Sequence, residues 1–421
     1  MRYIGNKEKI LKEIEDVILD NKLEKKCKSF FDAFSGTSTV GEFFKDRFKI
    51  IANDNLYMSY VISQAKLNTP DGKYKYLEMD PFEYFNSTDE ITKGFIYKNY
   101  SPGGSQRKYF SKENAGKIDF IRWKIEDWKQ KQLITDEEYY FLIASLLESI
   151  SKVANVAGVY GAYLKDWDPR AVKPMKYIPV QITKECAKTE NIVYNKKIED
   201  LIESVEGDIL YLDPPYTKNQ YSVQYHLLET IAKYDNPEIK GKTGARDTSS
   251  QTSDFSKDGK VHIEFEKIIA KAKFKYIIVS YSTDGIMSKE FIESVLKRYG
   301  KEETYQFKKF TYRKYLNTKA KKEGEHFEYI FFIEKKDEDK INYYSPLNYM
   351  GGKSEMMDFL KENMPKNINR FVDLFAGGFN VGVNMDVNEL IYNDCNFKVK
   401  ELIQMFRDID TFDLYKYIIN T

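Results

Sequence analysis

Apolar and polar positions along the chain follow two rhythms, and their succession predicts the architecture. Ile10, Leu11, Ile14, Val17 and Ile18 recur at helical spacing behind the tight-turn pair Gly5-Asn6 and predict an opening helix. Ser29-Phe30-Phe31-Asp32 reads as a strand. The small-residue turn Ala33 to Ser38 follows, then a helix from about Thr39 through Phe43 and Phe44. Lys49-Ile50-Ile51-Ala52 predicts a second strand ending in Asn53-Asp54-Asn55, and Tyr74 to Met79 a third, ending at Asp80-Pro81-Phe82. From residue 95 to 190 the alternation breaks: loops rich in glycine, cations and rings surround helical patterns at Ile118 to Gln130 and Glu137 to Ser151. Ile209-Leu210-Tyr211-Leu212 then places four β-formers against two prolines. Proline has no N–H for a ladder and fixes φ near −65°, so a buried strand must stop there. A helix is expected over Tyr221 to Thr230, and buried strands over Lys275 to Tyr281 and Glu328 to Ile333.

Composition narrows the class. The 421 residues suffice for two or three domains, and 42% hydrophobic with 31% charged residues describes a globular protein. Sixty-six Lys and Arg balance 65 Asp and Glu, so positive charge for a nucleic acid must be local. Three cysteines far apart, without CxxC and with only three histidines, argue against a zinc site or a disulfide framework and fit a reducing cytoplasm. No apolar run reaches ~18 residues, which disfavours a membrane span. Of the 33 tyrosines and 28 phenylalanines most belong to cores, while lysine–tyrosine interleaving also offers surfaces on which bases stack.

The candidate chemistry centres on Asp213-Pro214-Pro215-Tyr216. It forms a stiff loop at a strand's carboxyl end, the edge where open α/β sheets bind ligands. Small residues around Gly36 let a backbone approach a ligand, but the turn is not GxGxxG, which argues against a nicotinamide cofactor. Asp54, 18 positions after Gly36, is placed to hold ribose hydroxyls. Asp80 with Phe82 either holds an adenine, carboxylate to amine and ring to face, or simply caps a helix. Lys7 at the helix entrance is either a solvated cation or reaches an anion, and Phe310-Thr311-Tyr312-Arg313 is expected near a base pocket.

In order, Tyr3-Ile4-Gly5-Asn6-Lys7, Asp32-Ala33-Phe34-Ser35-Gly36, an insertion and Asp213-Pro214-Pro215-Tyr216 resemble the D12 (Dam-like, alpha-order) class of N6-adenine DNA methyltransferases over roughly residues 1 to 335. The resemblance implies an α/β, Rossmann-like sheet with helices on both faces and a mainly helical inserted target-recognition domain. It also implies S-adenosyl-L-methionine as cofactor, double-stranded DNA as partner, and a restriction endonuclease linked only through a shared target. Asp213 and the Pro214 carbonyl would accept the hydrogens of an adenine amine, Pro215 would stiffen the turn and Tyr216 would stack on the flipped base. Tyr3, Lys7, Asp32, Phe34, Gly36, Asp54, Asp80 and Phe82 would surround the cofactor, with Lys7 by its methionine carboxylate. Cytosine N4, an RNA adenine and a catalytically inactive specificity module are the alternatives.

Within the insertion, Arg107, Lys108, Arg122, Lys165 and Arg170 are candidates for DNA contact. The polar stretch Lys240 to Lys260 is either a mobile loop closing over DNA or a passive surface loop. The tail repeats the opening. Asn348 to Lys353 echoes Arg2 to Lys7, Phe371 to Gly382 echoes residues 30 to 41, and Asn393-Asp394 echoes Asn53-Asp54, at offsets of 346, 341 and 340. No second Asp-Pro-Pro-Tyr follows. The chain therefore divides into a cofactor half (1–94), the insertion (95–190), a catalytic half (191–337) and an incomplete second unit (338–421). This resembles the fused type IIS modification methylases of the FokI type, and truncation of the second unit is the expectation.

Overall fold

The computed structural model describes residues 3–70, 72, 74–183, 190–311, 327–337, 340–347, 350–410 and 413. Its centre is a seven-stranded sheet: β1 (Ser29–Asp32), β2 (Lys49–Asn53), β3 (Ile192–Tyr194), β4 (Glu206–Leu212), β7 (Lys273–Ser282), β8 (Gln306–Thr311) and β9 (Phe327–Glu334). Their order is β3-β2-β1-β4-β7-β9-β8. The pairs β2–β3, β1–β2, β1–β4 and β4–β7 are parallel, and β8 runs antiparallel to β9. Strands buried on both faces read as continuous apolar runs, which is why Ile209 to Leu212 and Tyr276 to Val279 are legible as strands. All eight of these residues are buried.

Chain order reverses between β1 and β4, so a crevice opens at the carboxyl ends of these two strands. β1 runs into the turn around Gly36 and β4 into Asp213-Pro214. Phe30, Ile50, Ile209, Tyr211 and Ile278 fill one core with Phe44 and the opening helix, Leu11–Asp20, which buries Ile14, Val17 and Ile18.

The third strand is not the expected one. Residues 75–79 form turns, with Glu78 at φ +57°, and the strand beside β2 is the three-residue β3, beyond the insertion. Tyr74 and Leu77 are buried in the core of the insertion rather than in the sheet.

The insertion is mainly helical, as expected, with long helices at Lys112–Gln130 and Asp136–Val153. Ser111 caps the first by accepting from Asn114 N–H, and Thr135 with Glu138 forms a reciprocal capping box on the second. Ile118, Ile121, Ile125, Leu142, Leu146 and Ile150 pack with Leu227, Leu228 and Ile231 of the helix His226–Lys233. The insertion thus shares one core with the helix that follows the Asp-Pro-Pro-Tyr loop. The stretch from 240 to 260 is built rather than bare: β5 (Ile239–Lys240) pairs with β6 (Ala245–Arg246), and short 3-10 turns follow at Ser249–Gln251 and Asp254–Ser256.

The chain divides into two compact units, Met1–Lys289 with Gln306–Phe332, and Glu290–Tyr305 with Ile333–Thr421. In the second, β10 (Arg370–Asp373) pairs in parallel with β11 (Glu389–Tyr392). The loop after β10 repeats the loop after β1 bond for bond. Gly377 N–H donates to Asp394 Oδ2 at 2.8 Å, as Gly36 N–H does to Asp54 Oδ2 at 2.9 Å. Ala376 N–H reaches the Asn393 carbonyl at 3.0 Å, as Ser35 N–H reaches that of Asn53 at 2.9 Å. Gly377 and Gly36 share the left-handed conformation, at φ +50° and +51°. Asn348 and Tyr349 of the repeated opening motif lie outside the described residues.

Candidate active site

An open cleft of about 960 Å³ lies over the carboxyl ends of β1, β2 and β4. It is lined by Tyr3, Lys7, Asp32, Phe34, Gly36, Asp54, Asp213, Pro214, Pro215 and Tyr216. Ten of the twelve residues that the resemblance implies for the site therefore meet in one place.

Local structure fixes each of them. Gly36 takes a left-handed backbone that L side chains rarely adopt, and a Cβ there would lie 2.9 Å from the Tyr3 ring. Asp54 braces that loop, its two oxygens accepting from Gly36 N–H at 2.9 Å and Leu56 N–H at 2.8 Å. Burial pushes the Asp54 carboxyl up to about 6, against the pull of those two bonds. Tyr3 is held over the loop by stacking on Tyr225 at 4.8 Å between centroids, and the Tyr225 hydroxyl accepts from Ile4 N–H at 2.8 Å. The opening segment is thereby pinned beside the Asp-Pro-Pro-Tyr loop, although 221 positions separate Ile4 from Tyr225.

The charged centre is a buried triad. Lys7 Nζ lies 3.0 Å from Asp213 Oδ1 and 3.3 Å from Glu328 Oε2, with the three side chains 5%, 14% and 3% exposed. Both contacts are charge-assisted, and the ammonium seals Asp213 Oδ1 from solvent. Burial favours the neutral form of Lys7, but the charges of Asp213 and Glu328 override it and hold the ammonium well above the ordinary lysine value. The same burial pushes the Asp213 carboxyl up to about 6, with Lys7 pulling it down and Glu328 pushing it up. The Lys7 ammonium also lies 5.3 Å from the centroid of the Tyr216 ring. Its partners within the protein are thus two carboxylates.

Asp80 and Phe82 are corrections. Asp80 Oδ1 accepts from Phe82 N–H at 2.7 Å and Glu83 N–H at 3.0 Å, so it caps the helix Pro81–Ser87. The Phe82 ring stacks on Tyr177 at 4.8 Å, inside the insertion's core. Neither lines the cleft. The segment that reaches the cleft instead is Lys196 to Glu199, which follows the real third strand.

Arg122 is a third correction. It is 2% exposed, and its guanidinium bonds to the carbonyls of Ile231 and Ala232, to Glu126 and to the Tyr139 hydroxyl, which leaves nothing to offer DNA. Arg107 reaches the carbonyls of Asn99, Gly241 and Lys242, and so ties the β5–β6 hairpin to the insertion. Arg170 bonds to Asp168 and to the carbonyls of Ser151, Ala154 and Val156. Lys108 and Lys165 are neighbours at the surface, Lys108 Nζ lying 3.2 Å from the Lys165 carbonyl. Their loop runs beside the helix Tyr221–Gln224, since Tyr160 N–H donates to the Gln224 carbonyl at 2.8 Å. Tyr312 and Arg313 lie outside the described residues.

Glu328, Tyr221, Tyr225, Gln251 and Ser253 were not foreseen. Glu328 had a signal in the sequence, a carboxylate at an inward position of an alternating apolar strand. Gln251 and Ser253 had none, because hydrogen bonds to Glu229, Asn55 and Gln220 fold their polar stretch back against the cleft.

Among the described residues, no helix is long and apolar enough to cross a membrane. Residues 3–295 and, separately, 349–420 match the family described as D12 class N6 adenine-specific DNA methyltransferase. The chain is 41% identical to the type II methyltransferase M.FokI of Planomicrobium okeanokoites, an alignment covering 99% of this chain and 68% of that one. It is 37% identical to the modification methylase LlaI of Lactococcus lactis subsp. lactis, over 96% of this chain and 66% of that one. It is 39% identical to the type II methyltransferase M.NlaIII of Neisseria lactamica, over 80% of this chain and 99% of that one. The chain thus spans about two thirds of the length of the first two and nearly all of the third. Its paired motifs, its crevice at the strand-order reversal and these matches agree: the chain belongs to the D12 class of N6 adenine-specific DNA methyltransferases.

Proposed function

We propose that this chain transfers a methyl group from S-adenosyl-L-methionine to adenine N6 within a specific site of double-stranded DNA, as the modification activity of a restriction–modification system in a bacterial cytoplasm. The cognate endonuclease would meet it only through the shared target. The observation that carries the reading is Asp213 at the end of β4, its carboxylate held by the Lys7 ammonium at 3.0 Å and its loop lining one cleft with the Gly36 turn.

The residues present fit the cofactor. Asp32 lies on the cleft wall at the end of β1, with its Oδ1 buried and not hydrogen-bonded. The bare Gly36 backbone and the Asp54 carboxylate lie beside it, and each Asp54 oxygen keeps lone-pair capacity beyond the backbone bond it accepts. Tyr3, Lys7 and Phe34 complete that wall, and Lys196 to Glu199 close the end beyond β3. S-adenosyl-L-methionine, when bound, would supply an electrophilic methyl: the S–CH3 bond would break as the N6–CH3 bond forms, sulfur would keep the electron pair as a neutral thioether, and the extra N6 proton would pass to water.

The chain's own work is positional and electrostatic. The amine lone pair of adenine is delocalised into its ring, so the site must hold the amine hydrogens and draw nitrogen towards a tetrahedral shape. Asp213 and the Pro214 carbonyl are the acceptors, and two consecutive prolines keep both in place without reorganisation. Tyr216 stacks on the extruded base. Lys108 and Lys165, neighbours at the surface, are the cations proposed for phosphate contact.

The test is incubation of the chain with methyl-labelled S-adenosyl-L-methionine and unmethylated bacterial plasmid DNA, beside D213A. Label in N6-methyladenine that vanishes with D213A is the expected result. Label in cytosine, or DNA binding without transfer, sinks the reading.

A further inference from the structure

We propose that Glu328 is a positioning residue for methyl transfer: it shares the Lys7 ammonium with Asp213 and so keeps that charge from falling wholly on the acceptor carboxylate. The inference rests on the reading that Asp213 is the acceptor at that amine.

The ammonium is divided between two carboxylates. Lys7 Nζ lies 3.0 Å from Asp213 Oδ1 and 3.3 Å from Glu328 Oε2. An ammonium has three donors and swings freely on its stem, so it serves both. Glu328, on β9, is the group that keeps it from pairing with Asp213 alone. Glu328 is 3% exposed and does not line the cleft, so it acts on the reaction from behind, through Lys7 and through its charge on Asp213.

Charge supports the same role. Two carboxylates around one ammonium carry one net negative charge, buried where positive charge develops on N6 as the methyl arrives. Without Glu328 the full ammonium charge falls on Asp213 and weakens it as an acceptor.

The other groups facing Asp213 do not mask this. Asp32, at the end of β1, has its carboxyl pushed up to about 8 by burial and by Asp213, so it stays neutral near pH 6. Burial holds the phenols of Tyr211 on β4 and Tyr221 after the loop well above their ordinary value, and Tyr216 completes the surround.

The experiment compares kcat/KM against pH for the full chain and E328Q, with kcat and the DNA and cofactor KM values measured at the plateau. Burial, then Lys7, then Glu328 set the Asp213 carboxyl at about 6, so activity that needs the carboxylate rises through about pH 6 in the wild type. E328Q removes a like charge. Its rising limb should move about one pH unit or more to the acid side, and kcat should fall about tenfold, with both KM values within about twofold. A limb that stays in place, or an unchanged kcat, overturns the proposal.

A second comparison decides the matter even where E328Q folds poorly. K7M leaves two carboxylates facing each other, and K7M with E328Q removes that repulsion, so the double variant should transfer methyl faster than K7M alone. Losses that multiply instead would overturn the proposal. A wild-type chain that binds DNA and never methylates adenine would point to the underlying reading as the fault.

Discussion

Asp32 ends β1 with Oδ1 buried and without a hydrogen-bond partner, while backbone N–H groups of Phe34 and Gly41 reach its carboxylate. Burial first, and the neighbouring charge of Asp213 second, push its carboxyl from the ordinary range up to about 8. The folded state therefore binds this proton more tightly than the unfolded chain does. The resulting contribution to stability is complete below about pH 4 and is lost as pH rises through about 8. In D32N the side chain cannot ionise, so we expect its melting temperature, without ligand, to fall less between pH 6 and pH 9 than that of the wild type. Thermal melts at the two pH values check this, and equal falls would remove Asp32 as the source. The sequence marks Asp32 as a candidate by its place before the turn, but not its proton, because the proton depends on Asp213, 181 positions away.

At the scale of elements, Arg122 shows how far a residue's meaning depends on its neighbours. In the sequence it is one cation among several in an insertion read as DNA-binding. In the structure it sits on the helix Lys112–Gln130 and clasps the end of the helix His226–Lys233 through the Ile231 and Ala232 carbonyls. R122A leaves those buried carbonyls unpaired, and we expect a loss of about 2–4 kcal/mol of stability by denaturant unfolding. The salt dependence of DNA binding should stay as in the wild type, since no phosphate contact is lost. A flatter salt dependence with unchanged stability would return Arg122 to the interface. The same limit explains the third strand. Tyr74 to Met79 carries rings and aliphatics that suit a strand, of which Tyr74 and Leu77 are buried, while the real β3 is three residues long and too short to announce itself. The β5–β6 hairpin was illegible for a related reason, because its anchors, Arg107 and the Tyr100 hydroxyl on the Gly244 carbonyl, lie in the insertion.

Across the whole molecule the repeat is the governing feature. β10 and β11 reproduce the pairing and loop bonds of β1 and β2, but not their burial: Val372 is 43% and Ile391 40% exposed, whereas Phe31 and Ile50 of the first unit are fully buried. In the sheet β1 is flanked by β2 and β4, whereas among the described residues β10 pairs only with β11. A two-stranded sheet with bare apolar faces does not bury enough to stand alone. We expect residues 340–421, expressed by themselves, to show no cooperative thermal transition, and a sharp calorimetric melt would refute this.

The sequence by itself determined the sheet's main strands, the two loops that face each other across it, the helical insertion and the repeat. Each of these is written in local periodicity, in proline and glycine chemistry or in self-similarity. Only the tertiary structure decided which carboxylate shares Lys7, which arginines are structural, and which segment stands at the far end of the cleft. Those facts are contacts between positions tens to hundreds of residues apart, such as Lys7 and Glu328, and they come into being only when the chain closes on itself.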